Sequence, residues 1–319
     1  MSSANNTKKI LHRIFFNFDN GLDPFLPYLE SWKKQLPDFT IMEWDKSNLP
    51  LDLNDYTRTL AEEKNHAFLS DYFRCWLLKQ YGGAYLDADI EILDGDIFRK
   101  VYEDTQTSPD YDLFIGVESD KTGGLTPHSM GIKCGTNHPL LDFLMSLYEN
   151  AFSGPLHHYL KRLPMPDLVS LYFMEKEKKG YAVPSKKGLF FSIKEPLITD
   201  KISIYPQEYF SPLTERNNQK VIMVFTAHTC LCHHFAATWK QNSKGEKLAK
   251  TLENALIEGN YMISPDCISA ILKKIPSIKN KKFKKPHWKL QEKQIVKLEK
   301  FLNFFIPYKS TLFRLLKGK

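Results

Sequence analysis

The residues best suited to chemistry gather around one acidic pair. Asp87 and Asp89 stand two apart at the end of a short apolar run, Ala84-Tyr85-Leu86. In an extended chain both carboxylates point to one side. Carboxylates this close repel unless a cation lies between them or one is protonated. Hard carboxylate oxygens select Mg²⁺ or Mn²⁺, above all where substrate phosphates complete the shell. Asp71 and Arg74, three residues apart in a helical pattern, fall on one helix face. A DxD alone is common in solvated acidic loops, so the signal lies in the two pairs together. The stretch His228-x-Cys230-x-Cys232-His233-His234 also concentrates ligand types. Its alternation reads as a strand, with zinc the lesser alternative. Gly123-Gly124 lacks the Gly-x-x-x-x-Gly-Lys-Ser/Thr arrangement of a phosphate loop.

These residues need a scaffold, and the pattern around them alternates between strand and helix. Lys9–Phe18 reads as a strand ending at the Asn20-Gly21 turn, Pro27–Gln35 as a helix and Phe39–Trp44 as a second strand. Asn65–Tyr81 carries Phe68, Leu69, Tyr72, Phe73, Trp76, Leu77 and Leu78 at helical spacing, and Gly82-Gly83 supplies a left-handed stop. Ala84–Leu86, Leu113–Val117, Ser129–Cys134 and a long Val221–Cys232 run read as strands, and Pro139–Phe152 as a helix. The expected class is an α/β sheet with mixed or parallel pairing. Such sheets bind ligands outside the carboxyl ends of their strands.

Composition bounds the function classes. The 319 residues are 42% hydrophobic and 25% charged, which excludes a disordered chain or a coiled coil. The polar start and the lack of any apolar run near ~18 residues argue against a secretory signal and a spanning helix. Five cysteines with no paired CxxC framework fit a reducing, cytoplasmic compartment. The net charge of +7 is divided: Lys273–Lys319 holds fifteen basic and two acidic residues, and the remainder carries −6. Lys279–Lys289 interleaves cations with Phe283 and Trp288, and Leu290, Ile295, Leu298, Phe301, Leu302 and Phe305 follow at roughly helical spacing. A basic amphipathic helix of this kind lies in a membrane interface and is drawn to anionic headgroups. The expected division is a catalytic domain over 1–271 and a helical basic extension over 272–319. The extension would place the protein peripherally at the inner face of the cell membrane. An acidic body argues against nucleic acid as partner.

The block from Asp71 to Asp89 resembles the glycosyltransferases with a DXD sugar-binding region. These form glycosyltransferase family 32, with the capsular and lipopolysaccharide sugar transferases and the yeast initiating α-1,6-mannosyltransferase. The spacing of Asp71, Arg74, Tyr85, Asp87 and Asp89 also occurs in the related glucosylating clostridial toxins. Lys9–Phe15, Ser31-Trp32, Pro37-Asp38, Trp44, Gly131–Leu141, Tyr205–Phe210 and His233–Trp239 are similar to further family segments, so the resemblance covers about residues 9–240.

What the resemblance implies is a GT-A fold and a metal-dependent, retaining hexosyltransferase. Mn²⁺ or Mg²⁺ would be held by Asp87, Asp89 and His233, with His234 a close competitor. Asp71, Arg74 and Tyr85 would contact the donor sugar, Asp87 the ribose or the ion, and Phe15 the base. Thr238, standing where the family has Ser, would reach metal or phosphate, and Trp239 the diphosphate. The donor would be a nucleotide-sugar, with UDP favoured by the toxin-like spacing. The acceptor would be a surface glycan or lipid-linked glycan. Glu118, Asp120 and Asp94 are read as loop acids able to meet it. Two alternatives remain: a phosphatase of the haloacid dehalogenase type, and a non-catalytic nucleotide-sugar-binding module.

Overall fold

The structure, a computed structural model, describes residues 9–120, 122–151, 165–211, 213–217 and 220–234. Thr238, Trp239, Cys267, the domain boundary at 271/272 and the basic extension lie outside the described residues. Seven strands form the main sheet. They are β1 (Ile10–Ile14), β2 (Thr40–Trp44), β3 (Gly83–Leu86), β5 (Leu113–Val117), β6 (Leu125–Ile132), β7 (Leu197–Thr199) and β8 (Ile202–Tyr205), in the order β2-β1-β3-β6-β5-β8-β7. β2, β1 and β3 pair in parallel, β6 runs antiparallel between β3 and β5, and β8 is parallel to β5. The carboxyl ends of β1, β2, β3, β5 and β8 therefore share one edge. This is the mixed α/β sheet that the alternating pattern predicts.

Strand alternation divides the core into two layers. Leu113, Ile115 and Val117 join the layer of Tyr56, Leu69, Phe73, Tyr148 and Phe173, contributed by α2 (Asp55–Glu62), α3 (His66–Tyr81), α5 (Pro139–Ala151) and α6 (Met165–Lys178). Phe114 faces the other way, with Trp32, Phe98 and Phe210 from α1 (Leu26–Gln35), α4 (Gly95–Thr107) and α7 (Gln207–Phe210). In β3, Tyr85 turns to the α3 layer and Ala84 and Leu86 to the other.

The path from α3 to β3 has no loop. Gly82, at φ 66°, ends the helix with its N–H on the Leu78 carbonyl, and Gly83, at φ 86°, opens the strand. A Cβ on Gly83 would sit 2.7 Å from the Ile10 carbonyl oxygen, so both conformation and space demand glycine there. Eight helical residues back from Gly82 is about 12 Å. Four extended residues on from Gly83 is about 13 Å. Arg74 and Asp87 thus reach the same height at the carboxyl edge.

Several expected boundaries differ. β1 stops at Ile14 rather than Phe18, where it runs out of neighbours: the Phe15 N–H makes a last bond to the Trp44 carbonyl. The run from Val221 to Cys232 is not one strand. β10 (Lys220–Val224) pairs with β9 (Leu213–Asn217), and β11 (Leu231–His233) pairs with β4 (Ile90–Ile92). A turn closed by Thr226 and Thr229 separates them, because the threonine hydroxyl caps backbone that a strand would need to pair. No helix among the described residues is long and apolar enough to cross a membrane.

Candidate functional site

Asp87 and Asp89 are gathered by a turn and not by strand alternation. The chain leaves β3 at Leu86 and turns so that the Ile90 N–H bonds to the Asp87 carbonyl. β4 then begins and is clamped from α1: the Trp32 Nε1–H donates to the Ile90 carbonyl (2.6 Å), and Ser31 Oγ accepts the Ile92 N–H (3.0 Å). The Ser31-Trp32 pair thereby fixes the exit of the acidic turn. β4 recruits β11 in antiparallel register, with Ile90 opposite His233. This pairing carries the His233 Nε2 to 3.3 Å from Asp89 Oδ1. Asp87, Asp89 and His233 offer ligand atoms that all lie within 4.8 Å of one another, the only such group among the described residues.

A chain of ion pairs leads away from this group on the α3 side. Arg74 Nη2 is 2.9 Å from Asp71 Oδ1 and 3.0 Å from Asp87 Oδ1, and its guanidinium lies 4.7 Å from the Tyr85 ring centre. The Tyr85 hydroxyl donates to Asp87 Oδ1 (2.8 Å). Tyr85 and Asp87 share a face because they are two apart, and that face carries Arg74. Arg74 is buried, so this pairing is more than the solvated helix-surface contact its spacing alone would give.

The electrostatics reflect three acids around one guanidinium. Burial pushes the Asp71 carboxyl up to about 7, with Arg74 opposing and Asp87 adding to the rise. Burial also raises Asp87, again against Arg74, and the neighbouring Asp89 charge adds to it. His233 is raised: burial works to lower it, but the Asp89 hydrogen bond and the charges of Asp89, Asp87 and Glu118 outweigh that. A site with this excess of negative charge fits a cation.

The remaining expected residues fall into place as follows. Phe15 lies just past the carboxyl end of β1, edge-on to Phe25 at 5.9 Å and 5.6 Å from the Arg13 guanidinium. His234 turns away from the acidic pair: its ring stacks on Tyr28 at 4.4 Å and its Nε2 meets Glu91 Oε2 at 3.0 Å. The geometry thus separates the two histidines, and His233 is the one beside Asp89. Cys230 and Cys232 are free and buried, and His228 is exposed, so the zinc alternative finds no cluster among the described residues. Asp94 is not a loop acid. It caps α4, accepting the Asp96 and Ile97 N–H groups at 3.0 Å each. Glu118 follows the carboxyl end of β5, and the Asp120 N–H donates to Gln207 Oε1 (2.7 Å).

Two buried histidines at the sheet are not among the expected site residues. His12 Nε2–H donates to the Gly82 carbonyl (2.9 Å), while its Nδ1 accepts the Trp44 Nε1–H (3.1 Å). His128 in β6 lies with its ring 4.2 Å from that of His233. The sole sequence signal for either is a polar residue inside an apolar strand.

With this geometry in view, comparisons with known proteins add a class. Residues 24–98 match the family described as "Glycosyltransferase sugar-binding region containing DXD motif". The matched segment contains Asp71, Arg74, Tyr85, Asp87 and Asp89. Among solved structures the chain is similar to the "PaToxG Glycosyltransferase", at 14% identity with a TM-score of 0.35, over 45% of this chain and 61% of that one. The chain therefore spans less than two thirds of that neighbour. No curated protein sequence matches. The family match supports a glycosyltransferase sugar-binding region of the DXD class. The mixed sheet with its acidic turn at the carboxyl edge is consistent with a GT-A fold.

Proposed function

We propose that the protein is a metal-dependent, retaining hexosyltransferase of glycosyltransferase family 32. It transfers sugar from a nucleotide-sugar, UDP-linked by preference, to a surface glycan or lipid-linked glycan of the capsule, lipopolysaccharide or O-antigen type. The observation that carries this is the Asp87–Asp89–His233 group, within 4.8 Å, joined through Asp87 to the buried Asp71–Arg74 pair. Two carboxylates and an imidazole suit Mn²⁺ or Mg²⁺, and diphosphate oxygens would complete the shell. A bound divalent ion supplies Lewis-acid stabilisation of the departing diphosphate.

The protein's own groups orient the donor. Arg74 and the Tyr85 hydroxyl both hold Oδ1 of Asp87 and so fix its carboxylate. Asp71, kept partly protonated near neutrality by burial, offers both donor and acceptor to sugar hydroxyls. In front-face displacement the leaving phosphate takes the acceptor proton, so no enzymic base is required. Thr238 and Trp239 add contacts to the phosphates, and the basic extension holds the enzyme at an anionic, cytoplasmic membrane face where a lipid-linked acceptor is met.

The test is nucleotide release from a panel of nucleotide-sugars with Mn²⁺. The wild type should hydrolyse or transfer from one of them, and Asp89→Ala should remove metal-dependent release while retaining its circular dichroism. Wild-type turnover by Asp89→Ala overturns the assignment. Inorganic phosphate release from simple monoesters, with no nucleotide released from any sugar donor, replaces it with a phosphatase.

A further inference from the structure

The acidic turn and His233 reach the site on separate arms, one following β3 and the other ending β11. One buried residue touches both. The His128 carbonyl accepts the Asp87 N–H (2.8 Å), and the His128 ring packs on that of His233 at 4.2 Å with a 45° tilt. Its two nitrogens are each 2.7 Å from a serine hydroxyl, Nδ1 from Ser129 Oγ and Nε2 from Ser211 Oγ. An imidazole bonded at both nitrogens donates at one, accepts at the other and has no lone pair left for a cation. It is also prevented from turning about its χ2. Ser129 and Ser211 are themselves fully buried, and Ser211 is fixed by its N–H on the Gln207 carbonyl where α7 ends.

We propose that His128, clamped between Ser129 and Ser211, is a positioning residue that holds the His233 imidazole at the spacing from Asp87 and Asp89 that a divalent cation requires. This rests on the reading of Asp87, Asp89 and His233 as the cation site. β11 has three residues, and β4, its partner in that small sheet, also has three. Backbone pairing of that extent sets where His233 begins but leaves its ring free to swing. A rigid wall on the inner side removes that freedom. An apolar side chain of similar volume would fill the space, but it would lack tethers to define the angle of the contact. The same residue fixes Asp87 through its carbonyl, so the separation of the two arms is set at one point. Groups that orient metal ligands without binding metal are worth roughly 10–100-fold in metal affinity.

The experiment measures Mn²⁺ dissociation constants by the electron paramagnetic resonance signal of free Mn²⁺, on the full chain without any donor. Circular dichroism at the same temperature establishes that each variant is folded. Wild type should bind, and Asp89→Asn should not. Ser211→Ala, which frees one end of the His128 ring, should weaken Mn²⁺ binding about 10-fold, and His128→Phe up to about 100-fold. Ser211→Thr, which keeps the hydroxyl, should bind within about twofold of wild type. Wild-type affinity in Ser211→Ala overturns the proposal, as does equal weakening in Ser211→Ala and Ser211→Thr. If His128→Phe does not fold, the Ser211 pair decides alone. Failure of the wild type to bind Mn²⁺ would instead remove the cation reading itself, and this inference with it.

Discussion

His12 makes the scaffold of the site sensitive to acid by an amount that follows from its surroundings. The ring is fully buried in the centre of the sheet, donating to Gly82 and accepting from Trp44. The Trp44 bond needs the neutral imidazole, since a proton on Nδ1 would face the Trp44 N–H, whereas the Gly82 bond is kept by the charged ring. Burial lowers its pKa from 6.5 to about 4, despite the opposing pull of the Gly82 carbonyl. The unfolded chain therefore binds this proton more readily than the folded one, and stability falls as pH drops below 6.5. At 1.36 kcal/mol per pKa unit the whole effect is about 3 kcal/mol, complete below pH 4, with about 2 kcal/mol already lost at pH 5. Urea unfolding of wild type and His12→Gln at pH 7.5 and pH 5.0 measures it. Contributions from other titrating groups, the similarly lowered His128 among them, are common to both proteins and cancel. Wild type should lose about 2 kcal/mol more than the variant between the two pH values. Equal losses would refute the account of His12 as a neutral tether between β1 and the start of β3.

Further expectations concern the same frame. Arg74→Met leaves Asp71 and Asp87 facing each other without their cation, and should cost about 3–5 kcal/mol in urea unfolding at pH 7. That deficit should shrink as pH falls, because both carboxyls are already raised and protonation relieves the folded state. Gly83→Ala combines a positive φ with a Cβ 2.7 Å from the Ile10 oxygen, and about 3 kcal/mol of lost stability is expected by the same method. Asp94→Ala should cost about 1 kcal/mol through loss of the α4 cap and leave turnover per folded molecule unchanged. Deletion after Ile271 should weaken sedimentation with anionic vesicles while sparing soluble nucleotide release, and equal vesicle binding would remove the membrane role.

What the chain alone discloses depends on whether a feature is local. The end of α3 was legible because two successive glycines have few other uses after an apolar helix, and β5 matches its expected limits residue for residue. α4 shows its pattern in Phe98, Val101, Tyr102 and Thr105, and Asp94 caps it instead of standing in a loop. α2 hides its start because its capping box pairs Asn54 with Thr57 and lacks the usual glutamate. β4 and β11 are three residues each, too short for any periodicity, and exist because each completes the other. The approach of Asp89 to His233 is thus a product of long-range pairing. The separation of His233 from His234 was illegible for the same reason: which of two adjacent residues faces the site is decided by register, and one step reverses it.

The acidic pair also joins its neighbours by a different route from the one its spacing suggests. Strand alternation would place both carboxylates on the α3 side, where Arg74 could serve either. Because the chain turns after Asp87, only that residue inherits the face of Tyr85 and meets Arg74. Asp89 is carried round to β11 and meets His233 instead. The two acids therefore stand in different surroundings. Asp87 is held by a permanent cation and a phenol. Asp89 faces an imidazole, whose place a stronger Lewis acid between them could take over. A fixed acid beside one that faces a titratable ring is therefore what the site offers to a ligand. It requires the turn at residues 87–90, held by Ser31 and Trp32 of α1, and not merely two aspartates in sequence.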